Sequence, residues 1–150
     1  MTSVAESLVT WLLTYSGISE VETDQVGEEA TSMGVIKAPG RNVQNFVNGD
    51  KEVTAYFLFR ARRSAQMDDM RVNNQEWLEA FETWVREQSF ARSVPTLTNG
   101  RSCQSVGVSE SAYLLQSEES DIIYQIGLEI VYYEPRTLTP DPPPEEQTEE

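Results

Sequence analysis

Between Arg41 and Phe90 the hydrophobic period switches from two to that of a helix, and this switch fixes most of what the chain can fold into. Residues 43–47 lead into Asn48-Gly49-Asp50-Lys51, and a second run follows over 52–63. There Val53, Ala55, Phe57, Phe59 and Ala61 alternate with Glu52, Thr54, Tyr56, Leu58, Arg60 and Arg62, as in a strand with one face on a core. Asn-Gly between two apolar runs predicts a hairpin, because both residue types tolerate the positive φ that primed turns need. Residues 66–72 read as a polar linker. Asn74 reads as the cap of a helix over 74–89, with Trp77, Leu78, Phe81, Trp84 and Val85 as its apolar positions and Glu82 and Arg86 paired on the surface. The stripe Trp77, Phe81, Trp84 has helical spacing and reads as core.

The flanking sequence adds one helix and several strands. Ser3-x-x-Glu6 has the form of a capping box, and Val4, Leu8, Trp11, Leu12 and Tyr15 follow on one face. This predicts a helix over 1–16, stopped by Gly17. Residues 18–24 read as a short strand and 25–32 as an acidic loop. Residues 33–38 read as a strand ended by Pro39-Gly40. After the second helix, Asn99-Gly100 predicts a turn and 102–108 a strand. Residues 113–116 form a short apolar piece, and 117–121 an acidic turn. Residues 122–133 alternate cleanly: Ile122, Tyr124, Ile126, Leu128, Ile130 and Tyr132 on one face, with Ile123, Gln125, Gly127, Glu129 and Val131 on the other. That is a central antiparallel strand packed on one side. At about 40 Å, its length invites part of it to protrude or to pair with a neighbouring subunit. The whole reads as an α+β fold, a mostly antiparallel sheet of five to six strands with two amphipathic helices on one face. It occupies residues 1–134 as a single domain. Residues 135–150, rich in proline and glutamate, read as a disordered or extended acidic tail.

Little in the chain speaks for catalysis. It contains no histidine and one cysteine, so a thiol nucleophile has no imidazole base and no intrachain disulfide is possible. Cys103 reads as a small packed residue. The acid groups Glu28/Glu29, Asp68/Asp69 and Glu118/Glu119/Asp121 fall in predicted turns, where adjacent carboxylates are solvated rather than tuned into an acid–base pair. No phosphate-binding glycine loop and no metal cluster is visible, so the reading calls for no enzyme activity, no cofactor and no metal. No run approaches the 20 apolar residues of a membrane span, and no signal peptide is recognisable. A soluble protein made in the cytosol is expected.

The net charge is −14. Residues 134–150 carry six acids and one base, leaving 19 acids and 10 bases in residues 1–133. The domain is itself acidic, which disfavours wrapping around nucleic-acid phosphates. Solubility accounts for such a charge, as does a surface that must not stick to passing DNA. The only basic cluster is Arg60, Arg62 and Arg63. It reads as a solvated strand end, as a contact to an acidic partner surface or, least of the three, as a phosphate-binding group. Tyr132 and Tyr133 read as interface aromatics or as packing within the monomer.

Several segments together resemble one known family. They are the N-terminal helix ending near Ser-Gly, Asn-Phe-Val-Asn-Gly-Asp-Lys at 45–51, Tyr-Phe-Leu-Phe-Arg-Ala-Arg at 56–62, and Asn-Gln-Glu-Trp-Leu-Glu-Ala-Phe-Glu-Thr-Trp-Val at 74–85. Ser-Ala-Tyr-Leu-Leu at 111–115 and Ile-Tyr-Gln-Ile-Gly-Leu-Glu-Ile-Val-Tyr-Tyr at 123–133 complete the pattern. Residues 1–134 are similar to the tail terminator, or tail-completion, proteins of long-tailed bacteriophages and prophages, often labelled minor capsid proteins. The resemblance rests on element order and short segments, with no catalytic signature to carry over, and residues 135–150 have no place in it.

The resemblance implies a virion protein at the tail or head–tail junction, assembled in the host cytoplasm. Its subunits would form a ring, a hexamer by that likeness, that caps the tail tube protein and joins it to the head–tail connector protein. DNA would pass through the lumen without specific binding. A heterologous ring interface needs two complementary patches on each subunit. Arg60, Arg62 and Arg63 against Glu20, Glu22, Asp24, Glu28 and Glu29 are the candidate pair, with Tyr132 and Tyr133 as further contacts. Two alternatives stay open. One is another connector or a tail tube subunit. The other is a soluble acidic adaptor or inhibitor of a basic partner.

Overall fold

The computed structural model describes residues 2–16, 18, 20–23, 32–64, 68–117 and 121–140. In chain order the elements are α1 (Val4–Leu12), β1 (Glu22–Thr23), β2 (Met33–Asn45), β3 (Lys51–Ser64), α2 (Asp68–Phe90), β4 (Ser102–Ser117) and β5 (Asp121–Glu134). They form one five-stranded sheet of order β1-β2-β3-β5-β4. Among the described residues, the short β1–β2 pairing is parallel and the other pairings are antiparallel. Two helices and a mostly antiparallel sheet give the α+β fold expected from the sequence.

The core lies between the helices and one sheet face. Leu8, Trp11 and Leu12 of α1 and Leu78, Phe81 and Val85 of α2 are buried against Val35, Val53, Phe57, Phe59 and the even-numbered residues of β5 from Ile122 to Tyr132. The aromatic stripe of α2 closes a ring cluster: Phe81 lies 4.9 Å from Phe59, 5.6 Å from Trp77 and 5.6 Å from Tyr15, centroid to centroid. Trp11 packs at 4.6 Å against Trp84, the two rings tilted by 36°. Its indole N–H donates to the Ser93 carbonyl at 2.7 Å, tying α1 to the segment that leaves α2.

Several boundaries differ from the sequence reading. Helix α1 is shorter than 1–16. Ser3 caps it, its hydroxyl accepting from the Glu6 N–H at 3.1 Å. Its end tightens into three-residue turns, with Thr14 N–H on Trp11 O and Tyr15 N–H on Leu12 O. Helix α2 begins at Asp68, six residues before the expected cap, so Asn74 is an interior residue. It is buried and accepts from Arg63 Nε at 3.1 Å. Strand β2 does not stop at Pro39-Gly40 but absorbs them in an irregularity between Lys37 and Arg41, where Gly40 takes φ +84°. The apolar piece at 113–116 belongs to one continuous β4, whose four register shifts hide its alternation. The acidic loop at 25–31 and most of the turn at 117–121 lie outside the described residues.

The two Asn-Gly pairs fold differently. At Asn99-Gly100 both residues have positive φ, 65° and 83°, as a primed turn requires. At Asn48-Gly49 only Gly49 does. That hairpin closes with Gly49 N–H on Phe46 O and Phe46 N–H on Asp50 O, and the Asn48 side chain accepts from the Asp50 N–H. The loop is thus longer than the two-residue primed turn expected.

Strand β5 neither protrudes nor offers an edge. All 14 residues pair with β3 on one side, and β4 runs along the other. Its second face is also less open than the alternation suggests, since Ile123 and Gln125 are only 8% and 5% exposed. The irregular β4 folds over it: a Cβ on Gly127 would meet Ser109 Oγ at 2.6 Å and the Glu110 backbone N at 3.1 Å. Residues 135–140 lie against the end of the sheet that holds both turns. Arg136 N–H donates to Asp50 Oδ1 at 2.8 Å, and Thr139 exchanges bonds with Asn99. The rest of the segment read as a tail, 141–150, lies outside the described residues.

Candidate subunit interface

Strand pleating separates the three arginines. Arg60 and Arg62 project from the sheet face opposite the helices, and Arg63 from the helix side. Arg60 Nε donates to Gln125 Oε1 at 2.7 Å, and Gln125 Nε2 in turn donates to the Tyr113 hydroxyl. This network satisfies a buried amide that would otherwise cost stability. Arg62 faces Asp121 at 3.8 Å. Arg63 lies 5.1 Å over the Trp77 ring, a cation–π contact, and burial lowers its pKa. The three therefore do not form one basic patch, and each has a partner within the subunit.

The other candidates also scatter. Glu20 is exposed, and Glu22 is half-buried in β1. Asp24, Glu28 and Glu29 lie outside the described residues. Tyr132 is a core residue, 5% exposed, between Val53 and Cys103 on the helix side of the sheet. Burial pushes its hydroxyl pKa up, and the neighbouring Glu134 charge adds to this, while Arg41 hydrogen-bonds it. Tyr133 is half-buried on the opposite face, between Glu52 and Ser102. Cys103 is partly buried, and desolvation pushes its thiol up to about 11, which leaves it protonated at neutral pH.

Among the described residues, exposed apolar side chains cluster along the chain at two other places, while Leu13, Val72 and Phe90 are exposed singly on or beside the helices. One is the end of the β2–β3 hairpin: residues 41–48 are all exposed, Phe46 is 40% exposed and Val47 stands fully in solvent. The other is the distal part of β4, where Tyr113, Leu114 and Leu115 are exposed, Leu114 at 51%. Helix α2 closes the proximal part of that edge. Glu82 accepts from the Ala112 N–H at 2.7 Å, and Ser89 accepts from the Val106 N–H at 3.4 Å. An edge strand whose outward donors are taken by side chains cannot template another strand there. Sequence reading placed both segments but did not mark them as surface. For the hairpin a signal was present: Phe-Val immediately before Asn-Gly sits in the turn, where no core reaches.

Among the described residues, no group of three or more histidine, cysteine, aspartate or glutamate side chains is placed to hold a metal ion. Among the same residues, no helix is long and apolar enough to cross a membrane. No protein-family model matches the chain, and no curated protein matches it.

Proposed function

We propose that this protein is a structural subunit of a long-tailed bacteriophage virion, a tail terminator. Its copies close into a ring, a hexamer by the family likeness, that caps the tail tube and joins it to the head–tail connector. DNA passes through without specific binding. The observation that carries the reading is the apolar end of the β2–β3 hairpin. Phe46 and Val47 stand exposed at the closed end of the β2–β3 hairpin. Exposed apolar groups held on a paired hairpin favour a protein partner over solvent. The likeness of residues 1–134 to tail terminators names the partner as further copies of the same chain, and the net charge of −14 suits a channel along which DNA slides.

Light scattering on the purified protein, across concentration and salt, tests this. A discrete particle of about six subunits is the expected result. Open-ended tubes would instead favour a tail tube subunit. A monomer at every concentration that also fails to close into rings on preformed tail tubes would overturn the reading and favour an acidic adaptor of a basic partner.

A further inference from the structure

The two exposed apolar segments occupy diagonal corners of the sheet. The hairpin end lies beside the last residue of β5, through the Lys51↔Glu134 pairing, on the β2 side. Tyr113 lies opposite Gln125, on the β4 side. Nine residues of β5 separate these positions, about 30 Å at the rise of an extended strand. They cannot meet within one subunit. Two copies placed side by side bring one corner of each together.

Charge distinguishes the possible arrangements. Strand β2 carries Lys37 and Arg41 and no acid. Strand β4 carries Glu110 and no base, and the α2 side chains over 72–90, on the helix that flanks it, include Glu76, Glu79, Glu82 and Glu87 against Arg86 alone. The hairpin loop and the start of β3 add Asp50, Lys51 and Glu52, so the basic excess lies on the β2 edge rather than at the turn. A contact of one β2 edge with another sets base against base, and one of β4 with β4 sets acid against acid. The β2 edge of the hairpin against β4 sets opposite charges together and covers apolar surface on both sides.

We infer that the end of the β2–β3 hairpin of one copy docks on the Tyr113-Leu114-Leu115 corner of the next copy's β4, a heterologous contact repeated around the ring. This rests on the ring reading and specifies its subunit interface. Val43, Phe46 and Val47 cover Leu114 and Leu115, with Lys37 and Arg41 toward Glu110 and the α2 glutamates. Because the two patches differ, the contact propagates head to tail and closes only if the rotation between neighbours closes.

Cysteine cross-linking in a Cys103→Ala background tests the assignment. Val47→Cys protein and Leu114→Cys protein are oxidised separately and mixed, then run on non-reducing gels. The expected result is covalent dimer from the mixture at least tenfold above either variant alone, and a ladder from the double variant. Self-linking of either single variant at the rate of the mixture would overturn the heterologous contact. Absence of the mixed dimer would overturn it as well. Light scattering on the unmodified chain, alone and with preformed tail tubes, separates the two failures: a discrete ring without the mixed cross-link rejects this interface alone, and a monomer that also fails to close into rings on the tubes rejects the self-assembly reading with it.

Discussion

Replacing Phe81 with alanine tests whether the aromatic cluster is the keystone of the helix–sheet interface. Phe81 is 0% exposed and lies against rings from β3, from its own helix and from the loop after α1: Phe59, Trp77, Trp84 and Tyr15, at 4.9, 5.6, 6.0 and 5.6 Å. Phe→Ala in a core costs about 3–5 kcal/mol, combining lost transfer energy with the cavity left behind. Here the cavity wall is four rigid rings that cannot collapse into the space, so the upper half of that range, about 4–5 kcal/mol, is expected. At roughly 2–4 °C per kcal/mol for a domain of this size, the midpoint should fall by roughly 10–15 °C. Phe81→Leu keeps most of the volume and should cost only about 1–2 kcal/mol. Urea unfolding followed by tryptophan fluorescence and far-ultraviolet circular dichroism reads both, at one fixed protein concentration because assembly adds apparent stability. A loss below about 2 kcal/mol for Phe81→Ala would refute the claim that these rings form a closed, rigid wall.

Other perturbations follow from single contacts. Gly127→Val should destabilise by about 1–3 kcal/mol in urea melts, because the β4 backbone at Glu110 already stands 3.1 Å from the site of a Cβ. Arg60→Ala removes the donor to the buried Gln125 Oε1 and should cost about 1–2 kcal/mol by the same measurement, whatever its effect on assembly. Cys103 should resist iodoacetamide at pH 8 and react promptly once the chain is unfolded in urea. Its pKa is raised from 9.0 to about 11 in the fold, so its contribution to stability is complete below pH 9 and disappears as pH rises through 11. Alkylation of the native protein at the rate of a free thiol would contradict that burial.

Strands β3 and β5 were legible because their alternation is unbroken, and each was placed within one or two residues. Strand β4 was not: four register shifts move its side chains off the period of two, so its distal half looked like a separate piece. The start of α2 was missed because Asp68 and Asp69 resemble a turn, and Asn74 resembles a cap when its buried bond to Arg63 is unseen. Strand parity alone separates Arg63 from Arg60 and Arg62, yet the three were grouped by closeness in sequence. Charge in sequence records how many ionic groups a segment has, and only the pairing register shows which of them are already partnered. The hairpin tip illustrates the converse, since Phe46 and Val47 count as apolar in any composition and become surface only through the turn that carries them.

The strand that joins β3 to β4 in the sheet is the last one in sequence. Leu58 meets Gly127 across 69 positions of chain, while β3 and β4 have no pairing with each other to hold them in the meantime. Until β5 inserts, the β2–β3 hairpin and the α2–β4 unit are two halves without a shared hydrogen-bonded seam. Distant closure of this kind slows folding and leaves two unsatisfied strand edges waiting in the nascent chain. A chain broken just before Asp121 therefore keeps both halves but loses the seam, and its expected fate is aggregation rather than a smaller domain.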